Sequence, residues 1–225
     1  MSLLRWDKME SLISTITVLI LLTAFIFIMQ DRIQNMINTF VGQSILLATA
    51  TFLQALKTDE IEFYISAILT ITLKSILIPY LLRHMVRKLN IRHKVATIKY
   101  PFLLLIGAAA LVLFCYHLII PTKTLSWTET NNVIAIAMAI MLLGMLILIT
   151  HRKAISHIIG FMSMENGIFL AALLATNGMP MAVELGIAFD VLIAAVLFGV
   201  FFFHLRHSID SLDVDRLNLL REDIE

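Results

Sequence analysis

The chain has 225 residues, of which 60% are hydrophobic and only 15% charged, and its mean hydropathy is +0.92. That balance excludes an ordinary soluble domain and predicts an all-α integral membrane protein, a bundle of seven transmembrane helices. With 17 Lys and Arg against 16 Asp and Glu the net charge is +1, which gives no electrostatic case for nucleic-acid binding, and the single cysteine, Cys115, excludes an intrachain disulfide.

Spans of about 20 apolar residues are needed to cross a bilayer core as helix. They are predicted, in chain order, near 12–30, 36–56, 62–83, 101–120, 131–150, 155–176 and 182–204. The first has a core too long for a cleaved signal peptide, and Asp7 and Glu10 precede it beside Arg5 and Lys8, so it is expected to stay in the mature protein. The fourth contains Cys115, which reads as a small buried hydrophobe. The connections are short and carry no linker rich in Pro, Gly or Ser, so residues 1–225 are expected to form one membrane domain.

An odd number of spans puts the termini on opposite sides. Counted by side, twelve basic residues, from Arg32 through the 83–99 loop and residues 152–153 to Arg206, Arg216 and Arg221, oppose four: Arg5, Lys8, Lys57 and Lys123. For a bacterial or archaeal cytoplasmic membrane, the positive-inside rule then predicts an outer N-terminus and a cytoplasmic C-terminus. The loop RHMVRKLNIRHKVATIK, residues 83–99, sets that orientation and is expected to meet anionic lipid headgroups; a docking surface for a cytoplasmic partner is the alternative. The acidic tail, 211–225, reads as a short surface helix or a disordered end.

Three ionisable residues lie inside predicted spans. Lys74, in AILTITLKSILIPYLL, is ~18 Å from the outer end of the third span at ~1.5 Å per residue, too deep for easy snorkelling. Pro79, five residues on, cannot donate the bond that the Ser75 carbonyl would accept in an α-helix, so a bend beside Lys74 is expected. Glu165, in GFMSMENGIFLAALL, is ~16 Å deep in the sixth span. Its neighbours at three and four residues, Phe161, Met162, Ile168 and Phe169, are apolar, so any partner must come from another helix. Asp190, in VELGIAFDVLIAAV, is ~12 Å deep in the seventh span, and Glu184, near the start of that span, reads as interfacial and secondary.

Each such group costs roughly 2.5–3.5 kcal/mol to insert at the bilayer centre, so Lys74, Glu165 and Asp190 are expected to meet one another or to connect through water. Two uses compete: a lysine and carboxylate pair that fixes helix register, and a proton or ion relay. Gln43, Ser44, Thr49, Thr51 and Gln54 of the second span are candidates to line the same axis, or to form ordinary interhelical hydrogen bonds.

Signs of catalysis are few. The seven histidines lie mostly at span ends without zinc-site spacing; only His157 and His204 stand at matching depth for a haem. No metal or cofactor is expected on this chain.

The segments GFMSMENGIFLAALL, AFDVLIAAVLFGVFFFHLRHSIDSLDVDRL and LKSILIPYLLRH resemble the HyfE family, component E of membrane-bound nickel–iron hydrogenases of the formate hydrogenlyase type. Residues 131–210 are also similar to subunit K of respiratory complex I and to the C subunit of Mrp-type antiporters, three-helix proteins with two membrane carboxylates. The resemblance implies a division into a four-helix extension, 1–130, and a subunit K-like unit. It implies that Glu165 and Asp190 play the parts of those carboxylates, although the position that aligns with the first of them is held here by Met162.

The resemblance also implies partners: antiporter-like membrane subunits, and hydrogenase or other peripheral subunits. The expected function is that of a non-catalytic subunit of an ion-translocating complex, carrying protons through Lys74, Glu165 and Asp190. A scaffold whose charges only hold helices together and a small stand-alone transporter are the alternatives.

Overall fold

A computed structural model describes residues 2–88, 101–119, 128–175, 186, 188–189, 191–196 and 199. Helix accounts for all of these but short turns. The helices are α1 (Ser2–Ile28), α2 (Ile33–Thr58), α3 (Ile61–Thr70), α4 (Ile78–Lys88), α5 (Pro101–Ile119), α6 (Thr128–Thr150) and α7 (Ala154–Ala175), with a π-helical segment, Ile71–Leu77, between α3 and α4. Together α3, the π segment and α4 make one long rod, the third predicted span. Among the described residues six helical stretches are long and apolar enough to cross a membrane. This is a multi-pass membrane protein, and each of these stretches falls where the hydropathy of the sequence predicts one. Of the seventh predicted span, residues 186, 188–189, 191–196 and 199 are described, and all are helical.

Among lipid tails, apolar helices gain little by meeting each other, so packing must come from close contact and polar links. The order of the chain supplies the neighbours. The turn between α2 and α3 is two residues long, with Asp59 in the left-handed region at φ 57° and its N–H bonded back to the Ala55 carbonyl. An aspartate tolerates that conformation better than most side chains. It folds the third span back along α2, which also touches α1, α4 and α7 and so lies at the centre of the bundle.

The core falls into two apolar clusters. One, toward the ends bearing the turns at residues 29–32 and 151–153, includes Phe27, Phe40, Ile78, Leu82 and Met162. The other, toward the turn at residues 59–60, includes Ile20, Leu47, Phe63, Ile140 and Leu170. On α2 the residues between Phe40 and Leu47 are where the polar Gln43 and Ser44 fall; on α7, Ser163, Glu165 and Asn166 fall between Met162 and Phe169. A polar layer therefore divides the core at mid-depth.

Against α6, α7 presents glycines. A Cβ on Gly144 of α6 would lie 2.5 Å from the Met164 backbone nitrogen, and one on Gly167 of α7 would lie 2.6 Å from that of Met141. Backbone thus meets backbone here, which only glycine allows. The outermost helix, α5, rests on α6 and α1 and turns Phe102, Leu103 and Leu113 outward. Cys115 faces inward and is fully buried.

Candidate functional site

The close seat of α7 on α6 fixes which way its other side points. Gly160, Met164 and Gly167 share one face; Glu165, Asn166 and Phe169 lie around the opposite one, as 100° per residue requires. That opposite face looks across to the third span, and Lys74 fills the space between them. Its ammonium donates to Glu165 Oε2 in a direct ion pair, donates to Asn166 Oδ1 at 2.9 Å, and stands 5.7 Å from the centroid of the Phe169 ring. Lys74 is 1% exposed and Glu165 5%, so the pair is sealed from the lipid.

The network continues into α2. Asn166 Nδ2 donates to Gln43 Oε1 at 3.2 Å, and Gln43 Nε2 donates to Ser163 Oγ at 3.3 Å. One glutamine thus closes a loop with two residues of α7, while the lysine holds a third. The other carboxylate oxygen, Glu165 Oε1, is buried without a hydrogen-bond partner among the described residues. Leaving a buried carboxylate oxygen unpaired costs stability, so this oxygen is a position for a water or a further group to meet.

Lys74 sits inside the π-helical segment. Here the Ile78 N–H reaches back five residues, to the Leu73 carbonyl. In that register the partner Pro79 cannot serve is the carbonyl of Lys74, where an α-helical reading of the sequence pointed to Ser75. π turns of this kind recur at functional sites. The irregularity expected at Pro79 is thus present but begins one turn earlier and takes this form.

The structure brings together Lys74, Glu165 and Gln43. Ser75 and Pro79 adjoin them along the chain, and Gln54 is buried nearer the turn at residues 59–60. Asp190 and Glu184 lie outside the described residues. Gly186, which lies between them in sequence, does reach the site: a Cβ there would lie 2.6 Å from Cδ2 of Phe169, the ring beside Lys74. Sequence reasoning missed Asn166 and Ser163. The available signal was two polar residues three apart, flanking Glu165 in an otherwise apolar run.

Two features occupy the opposite, basic end. Ser75, Tyr80, Arg83, His84 and Arg87 border a groove of about 360 Å³ on the third span. Arg83 donates through Nη2 to Asn38 at 2.9 Å, while its Nε is buried without a partner among the described residues. In the turn between α6 and α7, His151 is 3% exposed. Burial pushes its pKa below the ordinary histidine value, and repulsion from His157 adds to that against an opposing hydrogen bond with the Ile147 backbone.

The fold and this site define a multi-pass membrane protein with an interhelical ion pair set in a buried polar network. The chain is 29% identical over 150 residues to hydrogenase-4 component E of Escherichia coli, covering 66% of this chain and 68% of the relative, and equally to that of Shigella flexneri. It is also 27% identical over 205 residues to an uncharacterized protein of Mycobacterium tuberculosis, covering 90% of this chain and 93% of the relative. No protein-family profile matches the chain, and no solved structure matches it significantly.

Proposed function

We propose that this chain is a non-catalytic membrane subunit of a hydrogenase-type, ion-translocating complex, and that Lys74 and Glu165 form part of its proton path. The single observation that carries the relay is the buried pair itself, with one carboxylate oxygen held by Lys74 and the other without a partner among the described residues. A carboxylate oxygen open to a water or a further group gives a proton a way on to or off the pair, which a contact that only fixed helix register would not need. The similarity to hydrogenase-4 component E supports the setting.

In this reading a proton moves between the Lys74 ammonium and the facing carboxylate as a neighbouring subunit changes the local field. Asn166 and Gln43 keep the two groups aligned throughout. Asp190 is proposed as a further carboxylate of the path, after the resemblance to subunit K. Antiporter-like membrane subunits are the proposed neighbours, with the termini oriented as the positive-inside count predicts. The groove bordered by Arg83 and Arg87 is proposed to take an anionic lipid headgroup, which their guanidinium charges would attract.

The test is purification of the tagged chain in mild detergent with identification of what accompanies it. Co-purifying antiporter-like and hydrogenase-type subunits support the proposal. A chain recovered alone, monodisperse and able to exchange ions after reconstitution by itself, overturns it.

A further inference from the structure

Beyond the ion pair, a stripe of buried polar residues runs between α2 and the third span. Ser66, Thr70 and Lys74 recur every four residues, so they share one face of that rod. Gln43, Ser44, Thr51 and Gln54 share a face of α2. All seven are at most 4% exposed, and the two helices pack along their length.

The turn at residues 59–60 makes the two helices antiparallel, so residues equally far from it lie at the same depth. At ~1.5 Å per residue, Gln54 and Ser66 fall roughly 9 Å from the turn, Thr51 and Thr70 roughly 14 Å, and Ser44 and Lys74 roughly 22 Å. Neighbouring levels are about two or three hydrogen-bond lengths apart, a distance that one or two waters bridge.

The hydroxyls on this stripe are not spent on holding helices together. Buried helical hydroxyls usually bond the carbonyl four residues back, as those of Thr17 and, on this stripe itself, Thr51 do here. Those of Ser44 and Ser66 are buried and have no partner among the described residues, like Glu165 Oε1 at the end of the stripe. On the other side of Lys74 the same helices meet through apolar side chains, Phe40, Ile78, Leu82 and Met36. The row of buried polar side chains between these two helices therefore runs to one side of the pair, while on the other side a buried hydroxyl, that of Ser75, borders the separate groove on the third span.

We propose that water enters along this seam from the membrane face bearing the turn at residues 59–60 and links that face to Lys74 and Glu165. The seam is a half-path: it connects the pair to one side of the membrane only. Its use for protons rests on the relay reading above, while its hydration does not.

The test is thiol reactivity in the assembled complex. With Cys115→Ser as background, Ser66→Cys and Ser44→Cys are exposed to silver ion, small enough to follow a file of water, in vesicles of each orientation. Ala24→Cys, in the apolar core, is the reference. Both serine positions should react at least tenfold faster than Ala24→Cys, and faster when the ion is on the face of the 59–60 turn. Rates equal to Ala24→Cys, or faster from the opposite face, overturn the proposal. Thr70→Cys gives the same reading at the intermediate level if either serine variant fails to assemble. Because labelling reads hydration and not transport, a dry seam leaves the relay standing, and an inert Glu165→Gln leaves the seam standing.

Discussion

The two sides of α7 are equally buried and built on opposite principles. Toward α6 the contact is made by absence: Gly144 and Gly167 remove side chains so that backbones touch. Toward α2 and the third span it is made by reach, with Lys74, Asn166 and Gln43 extending across the space. The first contact is rigid and chemically inert. The second is polar and ionisable, a layer with an apolar cluster on either side. A polar network set against a close-packed backing keeps its geometry, which is what the proposed relay requires.

The largest effect should come from unbalancing the reactive side. Lys74→Met leaves Glu165 buried and alone and should cost about 3–5 kcal/mol, read as a lower unfolding midpoint or loss of the assembled complex. Lys74→Met with Glu165→Leu should recover most of that stability, because both charges go together. If the double variant also recovered translocation, the pair would be a scaffold and the contrast between the two sides would collapse.

Next comes the backing. Gly144→Ala or Gly167→Ala forces a Cβ into backbone and should cost about 1–3 kcal/mol by pushing α7 off α6. Thermal unfolding in detergent measures this. Any loss of translocation should follow from poorer assembly, so the rate per assembled complex should stay near that of the parent.

Of similar size, Gln43→Leu strands the Asn166 Nδ2 donor and should cost about 1–3 kcal/mol. Unlike the glycine variants, it should slow translocation per assembled complex, because it loosens the alignment of Asn166 beside Lys74. The smallest effect concerns the turn behind the backing. His151 is buried, and its depressed pKa means that the unfolded chain takes up a proton more readily than the folded one as pH falls below about 6.5. Stability should therefore drop on acidification through that window, and His151→Gln should flatten the drop. A thermal-unfolding series from neutral to mildly acid pH reads both.

Much of this was legible in the sequence because lipid permits so few arrangements. The six spans among the described residues, the central depth of Lys74 and Glu165, and the need of Glu165 for a partner on another helix all follow from hydropathy and helical rise. The π register at Ile71–Leu77 was not legible, since it has the same composition as an α-helix there and only Pro79 hints at it. Asn166 escaped because an uncharged amide raises no alarm on a hydropathy scale, although its bonds to Lys74 and Gln43 knit the site together. The glycine contact of α6 with α7 escaped because a glycine in a membrane helix reads equally as packing or as a weak point.

The measurement that bears most directly on the relay is proton translocation by the reconstituted complex carrying Glu165→Gln, normalised to the amount of assembled complex. The amide retains the size and an acceptor for Lys74 but cannot hold an exchangeable carboxyl proton. A loss of at least tenfold in rate with assembly intact is the predicted result. Translocation at the parent rate would contradict the account and leave Lys74 and Glu165 as a structural pair.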